Sequence, residues 1–214
     1  MGKLTEGILG PISGKAGSTV SYVLNGQNVI RSLSNKVIHL SAKQLANCQR
    51  MAVTNAFLRH IQTFLKMGFG PTAFGTTKNF HNLAVSYNKK NALTGSYPNI
   101  TMDYAKARVS EGIALEAQNP TVERVAEGLK FSWENDPHLS VPEAIDQVMM
   151  MAYFPDEQTA TFEVSGAKRM AGHDTLFIHP SRRNKPMETY ISFISNDRIT
   201  VANSTYLGRI TPED

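Results

Sequence analysis

The sequence predicts an α+β protein: an N-terminal β-hairpin plus two helices, followed by an immunoglobulin/fibronectin type III-like β-sandwich. Three observations predict it. An Asn25-Gly26 pair separates two apolar runs early in the chain. Between residues 42 and 93 the apolar residues recur at threes and fours, the helical period. From about Ile100 onward the period changes to two, the period of a strand.

The hairpin comes first. In STVSYVLNGQNVIRSL, residues 18–33, Val20, Tyr22 and Leu24 alternate with Thr19, Ser21 and Val23. Asn-Gly suits a type I′ turn, which needs positive φ at both central residues. Val29 to Leu33 is the expected return strand. Ser41 is a good N-cap, and AKQLANCQRMAVTNAFLRHIQTFLKMG predicts a long helix ending at Gly68. Leu45, Cys48 and Ala52, then Met51, Leu58, Ile61 and Leu65, set its apolar face, widened by Phe57 and Phe64. GFGPTAFGTT, residues 68–77, predicts a loop. A second helix is expected over 78–93, with Phe80, Leu83, Ala84 and Tyr87 on one face. TGSYPN, residues 94–99, then breaks the chain.

Short strands follow: Ile100, Met102 and Tyr104 in alternation, then LKFSW (129–133), QVMMMAYF (147–154), ATFEV (160–164), DTLFI (174–178), TYISFI (189–194) and RITVA (198–202). Asn196-Asp197 is an expected tight turn between the last two. Trp133 on an early strand and Tyr190 opening a late one fit an immunoglobulin-like core. The chain of 214 residues is long enough for one large domain or two small ones. The change of period places them at 1–99, basic, and 100–214, acidic.

Composition narrows the function classes. With 41% hydrophobic and 19% charged residues the chain is ordinary for a folded protein. A single cysteine, Cys48, excludes an internal disulfide. No apolar run approaches the roughly 18 residues of a membrane span. Glu6, Gly7, Gly10 and Pro11 interrupt any leader-like apolar region, so no signal peptide is read and a cytoplasmic location is the default expectation. The charge is uneven. Residues 1–110 carry 13 Lys+Arg against two acids, Glu6 and Asp103, a net of +11; residues 111–214 carry 9 against 16, a net of −7. Such halves attract each other, within one molecule or between two.

The glycine-rich GILGPISGKAGS, residues 7–18, invites a phosphate-loop reading. A P-loop needs G-x-x-x-x-G-K-[ST]. Here Leu9 holds the place of the first glycine, Ala16 that of the hydroxyl, and a hairpin rather than a helix follows. Its glycines are therefore read as bends or close approaches. Cys48, amid a helix, is read as a buried inert thiol. His173 and His179 share a predicted strand but stand roughly 20 Å apart. Glu134, Asp136, Glu143 and Asp146 are read as solvated loop charge. No catalytic constellation, metal site or cofactor motif is legible, so no enzyme and no cofactor is expected.

The basic half is the main functional signal. Lys15, Arg31, Lys36, Lys43, Arg50, Lys89 and Lys90 are the candidate interaction residues. With Tyr22, Tyr87 and Tyr97 they also permit a nucleic-acid reading. Arg50 and Arg59, nine residues or about 900° of helix apart, fall on opposite sides and make no single stripe. The leading expectation is a non-enzymatic structural or interaction protein, with a protein partner or self-association through its opposite charges. A nucleic-acid-binding protein using residues 1–110 is the alternative.

GKLTEGILGPISGKAG, the hairpin closing on VIRSL, AVSYNKKNALTGSYPN and SNDRITVANSTYLG together resemble a bacterial family common in Bacteroidetes. Its pattern is GKL-x2-G-x-LG-x2-SGK-x-G, a hairpin ending in IRS, a helical segment and a β-rich C-terminal half. Two departures are Leu33-Ser34 after IRS, where a proline is common, and Leu24-Asn25 in place of an aromatic-basic pair. The resemblance implies a fold organisation and no reaction.

Overall fold

The computed structural model describes residues 3–4, 12–24, 26–33, 39–135 and 139–212. By contacts the chain divides into two units, Met1–Ala42 and Lys43–Asp214. The division falls far from the expected boundary at 99/100. The reason is that the helices and the later strands share one core, described below.

The first unit is an antiparallel sheet in the order β1-β2-β3-β4, comprising β1 (Lys3–Leu4), β2 (Ile12–Ala16), β3 (Thr19–Leu24) and β4 (Gln27–Ser32). The expected hairpin is β3 and β4, and Gly26 takes the positive φ of 77° that its turn needs. Within the glycine-rich lead, Ile12–Ala16 is the strand β2. Gly14 lies inside β2 at φ 104°, and Gly17, at φ 59°, turns the chain into β3. No helix follows it, so no phosphate cradle of the P-loop kind is formed.

In the second unit, α1 (Ala42–Leu58) passes through a single 3-10 turn at 59–61 into α2 (Gln62–Ala73). The expected stop at Gly68 is overrun. A side chain there would collide with the Val109 carbonyl and approach Ser110 Cβ to 2.7 Å, so this glycine serves close passage of the 109–110 backbone. The Gly68 carbonyl accepts from Glu111 N at 2.9 Å across that crossing. The helix ends two residues after Pro71, in what sequence alone marks as loop. α3 (Phe80–Asn91) starts where Asn79 Oδ1 accepts from Asn82 N at 2.7 Å. A two-stranded ribbon follows, β5 (Leu93–Thr94) with β6 (Thr101–Met102). Tyr104, expected on that strand, opens a 3-10 turn instead.

Seven antiparallel strands form two sheets. β7 (Thr121–Val125), β8 (Gly128–Ser132) and β11 (His173–Phe177) make a three-stranded sheet in the order β11-β8-β7. β9 (Gln147–Phe154), β10 (Thr159–Glu163), β12 (Met187–Ile194) and β13 (Thr205–Ile210) make the other, in the order β10-β9-β12-β13. A short helix, α4 (Val141–Ala144), precedes β9. RITVA is not a strand; it is the turn and the bridge Ile194↔Val201, with Arg198 at φ 63°. The strand that fills this place is β13, and β7 also went unread.

Strand β9 explains the layering. Val148, Met150, Ala152 and Phe154 join one core, with Leu129, Phe131, Trp133, Leu176, Ile191 and Phe193. Met149, Met151 and Tyr153 join the other, with Phe57, Phe64, Leu65 and Phe69 of α1 and α2. The unbroken apolar run of β9 is thus that of a strand covered on both faces. The fold is α+β with several antiparallel sheets and no barrel, and helices pack on the four-stranded sheet within the same unit.

Candidate interaction surface

The first unit presents side chains rather than burying them. Among its described residues only Ser21 is buried. The register aligns Lys15, Val20 and Arg31 across β2, β3 and β4, and Tyr22 with Val29 beside them, on one face. Lys15 and Arg31 therefore stand two strand spacings apart, about 10 Å, with Val20 between them. Tyr22, Leu24 and Val23 are exposed, and Ile30 keeps 66% of its surface. No Asp or Glu occurs between residues 7 and 102, so within β2, β3 and β4 these cations have no acidic partner. The sheet thus leaves apolar and basic groups open to water.

The other expected residues are placed separately. Lys43 and Arg50 are exposed on α1, seven residues apart and so on one side of it. Lys89 and Lys90 close the last turn of α3, where cations meet the negative end of the helix dipole. Lys36 lies outside the described residues. All but Lys15, Arg31 and Lys36 belong to the second unit together with the acidic strands. The first unit holds four Lys+Arg and one acid, a net of +3, and the second 18 against 17, a net of +1. The charge asymmetry of the halves is thus mostly settled inside the second unit.

Local imbalance persists there. Glu123 on β7, Glu127 in the β7–β8 turn and Glu134 beyond β8 are exposed, with no ion pair among the described residues. Glu134 accepts from Asn119 Nδ2 at 2.6 Å, and Asp136 lies outside the described residues. Asp146 is not solvated as expected. It is 5% exposed and meets Arg169 Nη2 at 3.3 Å. Burial pushes its carboxyl above the usual range, with Arg169 pulling the other way.

Cys48 also departs from expectation: it is exposed, because α1 buries only Thr54, Phe57 and Leu58, all beyond it. His179 leaves β11 and caps the following 3-10 turn, its Nδ1 2.8 Å from Ser181 Oγ. Tyr190, expected in a sandwich core, faces the helices, and its hydroxyl donates to the Tyr104 carbonyl at 2.8 Å. Trp133 is buried as expected; its Nε1 donates to the Arg169 carbonyl at 2.7 Å and its ring meets Phe193 edge-on. Among the described residues, no helix is long and apolar enough to cross a membrane.

A family of unknown function, DUF6266, matches residues 11–208, which include every strand and helix from β3 through α4 to β12. The chain belongs to that family. No curated protein and no solved structure matches. The DUF6266 match starts one residue before β2, so the exposed sheet of β2, β3 and β4 is part of the family's own fold.

Proposed function

We propose that this DUF6266 protein is a non-enzymatic interaction protein that self-associates, the basic N-terminal sheet of one copy docking on an acidic surface of the next. The observation that carries the reading is the sheet itself: Tyr22, Val23, Leu24 and Ile30 exposed, Lys15 and Arg31 on one face with Val20 between them, and one buried residue among those described. Exposed Glu123 and Glu127 toward the β7–β8 turn, with Glu134 beyond the other end of the hairpin, supply the complementary charge. A head-to-tail contact of this kind repeats, giving rings or filaments. In the same reading β7 to β13 form a fibronectin type III-like sandwich within residues 100–214. Three antiparallel strands against four, with a shared core around Trp133, support it. The fourth of these strands, β10, pairs with the third rather than the fifth, unlike the immunoglobulin constant arrangement.

The test is charge reversal. Lys15→Glu combined with Arg31→Glu is expected to abolish association, and adding Glu123→Lys with Glu127→Lys to restore part of it. Unchanged association in the first variant contradicts the proposal. Labelled DNA or RNA binding that falls steeply with salt would favour the nucleic-acid alternative instead.

A further inference from the structure

A second feature lies at the turn of the β7–β8 hairpin, whose residues 124–126 and 128 flank Glu127. A pocket of about 200 Å³ opens there between the hairpin turn and the segment 178–187. Leu129, Ile178 and Met187 line it, and Arg124, Arg183 and Asn184 bring its polar groups. Two arginines thus line one small space, and no Asp or Glu lines it.

The two arginines are held differently. Arg183 is fixed: its Nε donates to the Ile178 carbonyl at 2.8 Å, its Nη1 to the Ala126 carbonyl at 2.5 Å, and it stacks 5.6 Å from the Phe177 ring. Neither arginine has a carboxylate within ion-pair distance among the described residues. Arg124 shares the inward parity of Val122 on β7. Its Nε and Nη2 are closed off from solvent and have no hydrogen-bond partner. These two nitrogens form one edge of the guanidinium, the pair of parallel donors that grips a carboxylate or phosphate through two bonds. Leaving such donors desolvated and unpaired is costly. An inward charge on an edge strand also discourages stray strand pairing. That role needs neither a pocket nor a second arginine beside it.

We infer that Arg124 and Arg183 form a binding site for a compact oxyanion, a phosphoryl or carboxylate group borne by a small molecule. The guest enters the pocket, the Arg124 fork turns out of its apolar contacts to meet it, and Arg183 supplies the second charge from a fixed position. The volume is below that of a pocket for a drug-sized ligand, which suits a small anion or the anionic end of a larger one.

The experiment titrates the full chain with sodium phosphate and, separately, sodium acetate at constant ionic strength, reading calorimetric heat and the melting temperature. Saturable heat with a concentration-dependent rise in melting temperature is expected for at least one anion. Phosphate alone assigns a phosphoryl group, acetate alone a carboxylate. Arg124→Met is expected to melt no lower than wild type without anion, because it removes an unpaired charge. It should bind roughly tenfold more weakly or not at all, and Arg124→Lys, which keeps charge without the fork, should fall between. No saturable heat with either anion overturns the inference. So does an equal anion effect in wild type and Arg124→Met, which would mark general solute exclusion.

Discussion

Arg169 is a buried charge beside the core that holds Trp133 and Phe193. It is 2% exposed, lies 3.7 Å above the Phe193 ring and donates to the Leu115 carbonyl at 2.7 Å, the Glu116 carbonyl at 3.2 Å and Asp146 Oδ2. Removing one partner of such a pair strands the other charge. Asp146→Ala is therefore expected to cost about 3–5 kcal/mol in urea unfolding, and the apolar double replacement Asp146→Leu with Arg169→Met far less. The pH dependence follows from direction. Burial holds the Asp146 carboxyl above its unfolded value. Its contribution is full below the unfolded pKa and declines as pH rises through the folded one. The stability difference between wild type and Asp146→Asn should fall with pH across that window; a rise would contradict the reading. Gly68→Ala sets two effects against each other. Helix propensity favours alanine by about 1 kcal/mol, but the new Cβ meets the Val109 carbonyl and Ser110. The backbone clash wins, so the melting temperature should drop; a gain would show that the 109–110 segment yields easily. Neither feature was legible in sequence. Gly68 reads as a helix stop and Asp146 as loop charge, because the atoms that define them lie 41 and 23 residues away.

At the scale of elements, α1 is two things in one helix. Its first three turns expose Leu45, Cys48 and Met51, while Thr54, Phe57 and Leu58 enter the core with α2. Hydrogen exchange should separate them: amides of residues 46–50 exchange much faster than those of 57–69. Equal protection along the helix would mean that the first turns are covered in solution. The sequence reading found β8 to β12 nearly to the residue, since their apolar residues decide where they lie. It missed β7 and β13. TVERV is short and half polar, and TYLGRI contains Gly208 at φ 106°. It placed Cys48 in the core because periodicity marks an apolar face without saying how much of it is covered. The run QVMMMAYF carried more information than a strand assignment uses: the seven residues after Gln147, apolar apart from the Tyr153 hydroxyl, need cover on both faces. That cover is the helices, which share one core with the later strands.

At the scale of the whole molecule, the charge asymmetry visible in the sequence has a smaller meaning than its size implies. Eighteen of the 22 basic residues belong to the same unit as 17 of the 18 acids. What is left over is a 42-residue unit of net +3 with exposed apolar side chains. Gly14 and Gly17 near its start shape a strand and a turn there. The account stands on that sheet meeting a second copy. Light scattering after size exclusion of the full chain tests it most directly, in about 0.02 M and about 1 M salt, where screening shortens from tens of ångströms to about 3 Å. The account predicts a mass of a dimer or larger at low salt that falls toward the 23.6 kDa monomer at high salt. A monomer at both salts, across the concentrations measured, would contradict it.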